Sequence, residues 1–405
     1  MDTPGLTEFI RENAKKRVSD LALQYHGRPL TFDLNLALTQ IEARQKCARK
    51  LAWFIGHDRF MFPSVQSSEQ ATNQAVARYH AEITGCRHKI LDMTAGLGID
   101  AMTLAMSGNH VTACELEPDR AEYLRHNAKV LGIQTLDVHH GDSTAILENS
   151  DCHYDWIFID PARRDNADNR CFLLQDSQPN VISIQHEMLQ HAPDVLIKAS
   201  PLLDITQTLR DLANISEIHI VSYRGEVKEV LIHLSLHLDQ PVVSAIDISG
   251  EYGIFPDSKP TIGYEFRSDI RELNNDGVVY ASDTDLHRGT YMYEIGASIR
   301  KLNCNGILCR RYPGMKSMAT GSGLFVSEYV YTDFPGRITM IEGKIDGKGM
   351  KRLKGTSLRI VSRAYPVSAD HLRHNIRAKE GNEQTLYATT LADGTRVHAL
   401  CSVLP

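Results

Sequence analysis

The sequence predicts an α/β fold built on a mainly parallel, doubly wound sheet, and three observations carry that prediction. Between Lys89 and Glu117 a strand, a glycine loop, a helix and a second strand follow one another at the spacing of a βαβ unit. The same alternation continues to Arg164. Four acidic residues, Asp92, Glu115, Asp142 and Asp160, each stand at or just past the end of one of these strands. Ligands in open α/β sheets bind beyond the carboxyl ends of the strands, so these positions mark a candidate site.

Each element has a local reason. Ile90 and Leu91 run apolar into Asp92, and Gly96 and Gly98 then allow a tight turn and a close backbone approach. A helix follows from Ile99 to Ser107. The next strand, Val111–Cys114, delivers Glu115, where an acid accepts hydrogen bonds from ribose hydroxyls. Pro118 and Asp119 open a helix that closes at Gly132. Val138-His139-His140 ends a third strand, and Asp142 beyond it suits an adenine amino group, an ordinary helix N-cap, or both. The fourth strand, Asp155–Ile159, runs into Asp160-Pro161-Ala162-Arg163-Arg164.

The glycine pattern bears on which nucleoside is bound. Dinucleotide sites carry G-x-G-x-x-G, which admits a pyrophosphate to a helix N-terminus. Here Ile99, Asp100 and Ala101 follow Gly98, and Asp100 would set a carboxylate where the pyrophosphate belongs. An uncharged ribose or a cationic sulfonium tolerates that charge. D-x-x-x-G-x-G, beginning at Asp92, is the S-adenosylmethionine form, so that cofactor is expected on Asp92, Thr94, Gly96, Gly98, Glu115, Asp142 and Asp160. The bland alternative is a structural turn in an unrelated α/β domain.

With those motifs in place, the chain resembles class I S-adenosylmethionine-dependent methyltransferases. More narrowly, it is similar to a bacterial family, common in Bacteroidetes, with a C-terminal THUMP-like domain. The matching stretches are PSVQSSEQATNQAVARYHA (63–81), LDMTAGLGID (91–100), DPARRD (160–165), LIKASPLLDI (196–205), EVKEVL (226–231), SLRIVSRAYPVSADHLR (357–373) and EGNEQTLYATTL (380–391). The resemblance spans nearly the whole chain and is weakest in the first sixty residues. It implies a Rossmann-like sheet with an antiparallel last strand. It also implies four parts: a helical segment at 1–85 closing over the cofactor with Gln70 and Thr72, a methyltransferase core at 86–240, a small ferredoxin-like module at 241–330, and the THUMP-like part at 331–405. Read alone, 241–330 shows only a short α/β segment, with GTYMYEIGASIRKL (289–302) as its helix.

Composition agrees. The chain has 405 residues and 42% hydrophobic content, enough for two or three domains with sizeable cores. No apolar run reaches the ~18 residues of a membrane span, and the N-terminus lacks the pattern of a secretory signal. The eight cysteines form no C-x-x-C and no zinc-ligand set, so no metal is expected and a reducing cytoplasm suits them. A net charge of −6 argues against gross nonspecific nucleic-acid binding. From Lys344 to Lys379, however, ten basic residues face only Asp346 and Asp370. Such a local concentration suits a phosphate backbone, with a plain solvated face as the alternative. Lys351, Arg352 and Arg363 are the contacts expected there. A second basic stretch, Arg44–Lys50, lies on a helix read from Asp33 to Phe54 and is taken as a solvated face.

The acceptor chemistry is less legible. Methyltransferases of exocyclic amines often carry N/D-P-P-Y/F/W after the fourth strand. Here Ala162 and Arg163 replace the second proline and the aromatic, so a guanidinium would have to replace the aromatic ring; Arg163 and Arg164 are therefore candidate RNA contacts. Cys171 lacks a Pro-Cys context and is read as structural rather than nucleophilic. Asp160, Lys198 and Glu229 also resemble the later members of the Lys-Asp-Lys-Glu tetrad of ribose 2′-O methyltransferases. Arg78 is then the nearest candidate for the missing first lysine. A buried Lys198–carboxylate pair supporting the pocket is the preferred alternative. The functional expectation is methylation of rRNA or tRNA at base or ribose. Methylation of a small molecule or protein, and noncatalytic cofactor or RNA binding, stand beside it.

Overall fold

Among the described residues, six helices precede the first strand: α1 (Leu6–Asn13), α2 (Val18–Tyr25), α3 (Leu34–Lys46), α4 (Ala52–Ile55), α5 (Val65–Gln70) and α6 (Gln74–Thr84). The computed structural model describes residues 4–148, 153–163, 174–237, 240–249 and 259–404. The chain divides into two units, the first made of residues 1–218, 229–239 and 248–261, and the second of the rest.

The helix read as Asp33–Phe54 ends at Lys46, and a turn separates it from α4. The Arg44 guanidinium accounts for this break. It donates to the carbonyls of Ile55, Asp58 and Phe60 at 2.7–2.8 Å, gathering the chain that follows α4. Arg44 is thus a half-buried clamp and not part of a solvated face. The extended residues 61–62 are pinned from two sides. Gln40 on α3 exchanges two 2.8 Å bonds with the Phe62 backbone. Asn127, further along the chain, does the same for Met61. Gln40 thus fixes residue 62 within the helical segment and Asn127 ties residue 61 to the sheet domain, each amide satisfying donor and acceptor together.

The sheet of the first unit uses β1 (Lys89–Asp92), β2 (His110–Glu115), β3 (Leu136–His140), β4 (Trp156–Ile159), β7 (Asp194–Ala199) and β9 (Glu226–Ser235). Its order is β3-β2-β1-β4-β7-β9. All pairs are parallel except β7 with β9. Two short strands, β5 (Ala162–Arg163) and β6 (Ser177–Gln178), pair antiparallel beyond β4. Central strands read as unbroken apolar runs because both faces are covered, and every residue of β4 is buried. The connecting helices are α7 (Ile99–Met106), α8 (Pro118–Val130), α9 (Ser143–Glu148), α10 (Val181–His191) and α11 (Ile205–Asp211). Residues 99–105 of α7 are all buried, which explains its lack of a polar face. Strand β8 (Ile215–Tyr223) precedes β9.

The second unit contains β10 (Val242–Ile248) and β11 (Ile262–Asp269), followed by a seven-stranded sheet. That sheet is built from β12 (Tyr291–Ile295), β13 (Lys316–Ser317), β14 (Leu324–Ser327), β15 (Gly336–Lys344), β16 (Arg359–Arg363), β17 (Gln384–Thr390) and β18 (Arg396–Val403). Its order is β13-β14-β12-β15-β18-β17-β16. The expected helix at 289–302 is corrected: Tyr291–Ile295 is a strand paired on both sides, and only Ala297–Leu302 is helical (α12). An apolar, aromatic run with partners on both edges favours a strand. Strand β12 from the 241–330 stretch pairs directly with β15 from the 331–405 stretch, so the two stretches share one sheet. Helix α13 (Asn305–Arg311) follows α12, and α14 (Gly347–Arg352) and α15 (Ala369–Ile376) come later in the chain. Leu353, Leu372 and Ile376 share a core with Ile360 of β16 and Leu386 of β17. No helix among the described residues is long and apolar enough to cross a membrane.

Candidate active site

The carboxyl ends of β1, β2, β4 and β7 carry the residues that the sequence singled out. Asp92 closes β1 and is buried. Its Oδ1 accepts the Thr94 N–H at 3.0 Å, while Oδ2 is buried with no partner. Burial, with Asp100 and Asp160 nearby, pushes the Asp92 carboxyl up to about 8 against the pull of Thr94 and Lys198. A buried carboxylate oxygen without a donor is costly. A cationic ligand would relieve it, so the site fits a cofactor with positive charge. Thr94 ties the same loop to β4, its Oγ1 accepting the Asp160 N–H at 2.7 Å.

The two glycines do different work. Gly96, at φ +56°, has no atom within 4 Å of where a Cβ would sit, leaving room for a ligand. Gly98, at φ +82°, would place a Cβ 2.1 Å from Leu124 Cδ1 in the packed core under α8. Gly98→Ala is therefore expected to destabilise the fold by about 2–4 kcal/mol, from backbone strain plus overpacking. Gly96→Ala should cost about 1–2 kcal/mol from strain alone. Urea titration of both variants checks the ranking, which equal losses would contradict.

Glu115 ends β2, is buried, and accepts the Glu117 N–H at 2.9 Å through Oε1. The exposed Leu116 beside it sets an apolar side chain next to the acid, a feature the sequence reading passed over. Asp142 is exposed, and its Oδ1 accepts both the N–H and the hydroxyl of Thr144. That geometry supports the N-cap role and leaves the second oxygen for other partners. Glu115→Ala is expected to weaken cofactor binding by about 2 kcal/mol, roughly thirtyfold, as a charged acceptor is lost. Calorimetry reads this directly, and unchanged affinity would end the ribose assignment.

Between β4 and β7 the chain assembles a line of polar groups. Lys198 Nζ donates to Asp160 Oδ2 at 2.5 Å and to Thr72 Oγ1 at 3.0 Å. The Thr72 hydroxyl donates to Asp100 Oδ2 at 2.5 Å. His80 Nδ1 lies 2.8 Å from Asp100 Oδ1, and its Nε2 meets Glu229 Oε1. Burial alone would lower the Lys198 ammonium, but Asp160, Asp100 and Glu229 overcome it and raise it above its ordinary value. Lys198 is thus a fixed cation. His80 behaves alike: burial lowers it, but Glu229 and Asp100 carry it up to about 10. Asp100, although buried, is held below the usual carboxylate range by His80, Lys198 and Thr72.

Three expectations change here. Lys198 cannot act as a base while it is held cationic. Glu229 is buried with Oε1 on His80, so its hydrogen-bond partner is the imidazole and not Lys198. Arg78, the stand-in for a first lysine, bonds Ser107 and Glu82 instead. The sequence missed His80, which stands on α6, far along the chain from Glu229. Gln70 ends α5, exposed, two residues before Thr72. Arg163 lies in β5, while Arg164 and Cys171 fall outside the described residues.

In the second unit Arg363 does not stand free for RNA. It lies 3.8 Å from Glu294, which also takes two hydrogen bonds from Arg359. Lys344 is engaged by Asp283. Lys351 and Arg352 are exposed at the last turn of α14. Exposed Lys354, Arg377 and Lys379 gather nearby, because residues 355–358 hydrogen-bond to 376–379.

Comparison with known proteins agrees with this geometry. Residues 26–167 match a family model described as "Putative SAM-dependent methyltransferase", and residues 343–402 one described as "THUMP domain-like". The crystal structure of a "putative methyltransferase" from Porphyromonas gingivalis W83 is similar over 99% of this chain and 98% of its own, with TM-score 0.81 and 27% identity. A ribosomal RNA small subunit methyltransferase J of Desulfotalea psychrophila is 33% identical over 103 residues, which is 24% of this chain and 40% of the relative. An uncharacterised RNA methyltransferase of Mycoplasma mobile is 21% identical over 176 residues, 42% of this chain and 47% of the relative. The chain thus spans less than half the length of these two curated relatives. The chain therefore carries an S-adenosylmethionine-dependent methyltransferase domain matched over residues 26–167 and a THUMP-like domain matched over 343–402, and the methyltransferase match implies S-adenosylmethionine as the cofactor.

Proposed function

We propose that the protein methylates structured RNA, with the acceptor seated at Asp160. The observation that carries methyl transfer is the Asp160–Lys198 pair standing at the strand ends next to the unpartnered oxygen of Asp92. When bound, S-adenosylmethionine supplies a methyl group made electrophilic by its sulfonium. Asp92 and Glu115 would hold the cofactor, and Lys198 fixes Asp160 toward the acceptor. RNA as substrate is supported by the THUMP-like match, the exposed Lys351, Arg352, Lys354, Arg377 and Lys379, and the RNA methyltransferase names of the two relatives.

The corner at Asp160 favours a nitrogen acceptor. The Asp160 N–H is already taken by Thr94, and Pro161 has no N–H, so the backbone at residues 160–161 offers acceptors and no free donor. Acceptors orient an N–H nucleophile. Once methylated, that nitrogen becomes acidic enough to release its proton to a carboxylate. A ribose hydroxyl would need a stronger base near its own pKa, and Lys198 cannot serve. We therefore read the acceptor as a nucleobase nitrogen.

The test uses purified protein, radiolabelled S-adenosylmethionine and total RNA from a strain lacking the gene. Label in one RNA species, found by nucleoside mass spectrometry on a base nitrogen, is the expected result. Label on ribose would overturn the acceptor. No label in RNA, despite cofactor binding, would shift the reading to small molecules or proteins.

A further inference from the structure

The line Asp160–Lys198–Thr72–Asp100–His80–Glu229 alternates anion and cation, with one hydroxyl set between Lys198 and Asp100. Its direction is determined by the donors. Lys198 has no acceptor, so it must donate to Thr72, and the Thr72 hydrogen must then point at Asp100. Asp100 receives it on Oδ2, which must therefore stay free of a proton. Asp100 is buried in the first turn of α7, and His80 is the cation on its other oxygen. The His80 side chain is fully enclosed, lies 5.5 Å ring to ring from Phe158, and uses both nitrogens within this line. It touches neither Asp160 nor Lys198.

We propose that His80, bridging Asp100 and Glu229, is a positioning residue that sets the polarity of the Thr72 hydroxyl and so holds Lys198 against Asp160. The inference rests on the methyl-transfer reading above. Without the His80 proton, Asp100 and Glu229 become buried anions with too little compensation, and Asp100 takes up a proton. With that proton on Oδ2, Asp100 becomes a donor to Thr72. The Thr72 hydrogen then turns toward the Lys198 ammonium and pushes it from its place. The effect reaches Asp160 through four hydrogen bonds, although His80 never meets the substrate.

The test compares wild type, His80→Gln and His80→Gln/Glu229→Gln in the full chain. A glutamine at position 80 can donate to only one carboxylate and leaves Glu229 facing its amide oxygen. In the double variant the new amide at position 229 donates to the amide oxygen at position 80, whose NH2 again donates to Asp100. The expected result for His80→Gln is a kcat lower by about thirtyfold, with the calorimetric Kd for S-adenosylmethionine within about twofold, consistent with loss of a charged network member. The double variant should recover at least about tenfold of that loss. Wild-type turnover in His80→Gln, or no recovery in the double variant, would overturn the proposal.

A second readout does not depend on activity. In nitrogen-15 histidine-labelled wild type at pH 8, one imidazole should show both nitrogens protonated, and that signal should vanish in His80→Gln. In lysine-labelled protein a protected ammonium signal should vanish with it. A neutral His80, or an unchanged ammonium, would overturn the proposal even if the RNA reading failed for separate reasons.

Discussion

Asp160→Ala is expected to lower kcat by at least about a thousandfold while leaving the Kd for S-adenosylmethionine within about threefold. Two losses combine in that number. The carboxylate that orients the nucleophile and takes its proton is gone, and Lys198 loses the anion that it holds at 2.5 Å. The cofactor contacts proposed for Asp92 and Glu115 should stay in place, because Asp160 hydrogen-bonds the β1 loop at Thr94 through its backbone N–H, which the substitution keeps. Folding should survive: the Asp160 side chain is 41% exposed, and Lys198 keeps Thr72 and the field of Asp100 and Glu229. Asp160→Asn separates the two roles. Its amide oxygen still orients an N–H but takes no proton, so a loss of about ten- to a hundredfold is expected. Single-turnover transfer of radiolabel, with calorimetry and thermal melts alongside, measures all three quantities. Near-normal transfer by the alanine variant would move the acceptor away from β4.

The parts of this site that were legible in the sequence are those whose causes are local. Asp92, Gly96 and Gly98 lie within a few residues of one another, and strand ends at Glu115 and Asp160 are marked by the turn chemistry that follows each. Periodicity also gave the parallel core, because each βαβ step is short. The misread parts depend on distant partners. Arg363 looked like an RNA contact within a basic run, yet Glu294 on β12 claims it. Arg44 looked solvated, yet carbonyls beyond α4 enclose it. Glu229 and Lys198 were singled out together, but their partners His80 and Thr72 come from the helical segment, far away in the sequence. The 289–302 stretch failed for a similar reason. Its apolar residues suit helix or strand alike, and pairing with β14 and β15 decides for a strand up to Ile295.

Cofactor binding should release close to one proton at pH 7. Asp92 is buried, carries an oxygen with no donor, and is pushed up to about 8, so it is mostly protonated in the free protein. S-adenosylmethionine is cationic and binds the ionised form better, so binding drives the proton off. The sign follows from linkage: the favoured species gains population as pH rises, and Kd falls by about tenfold per unit between pH 6 and 7.5. That window avoids the amino group of the cofactor, since α-amino groups titrate near ~7.7–8.0. Calorimetry at pH 7 in phosphate and in Tris, whose ionisation enthalpies differ widely, counts the proton. In Asp92→Asn the slope should flatten and the proton disappear, with binding weaker at every pH because the anion is missing. Equal heats in the two buffers would mean that Asp92 is already ionised before the cofactor arrives, and its unpartnered oxygen would then need a donor from the protein itself.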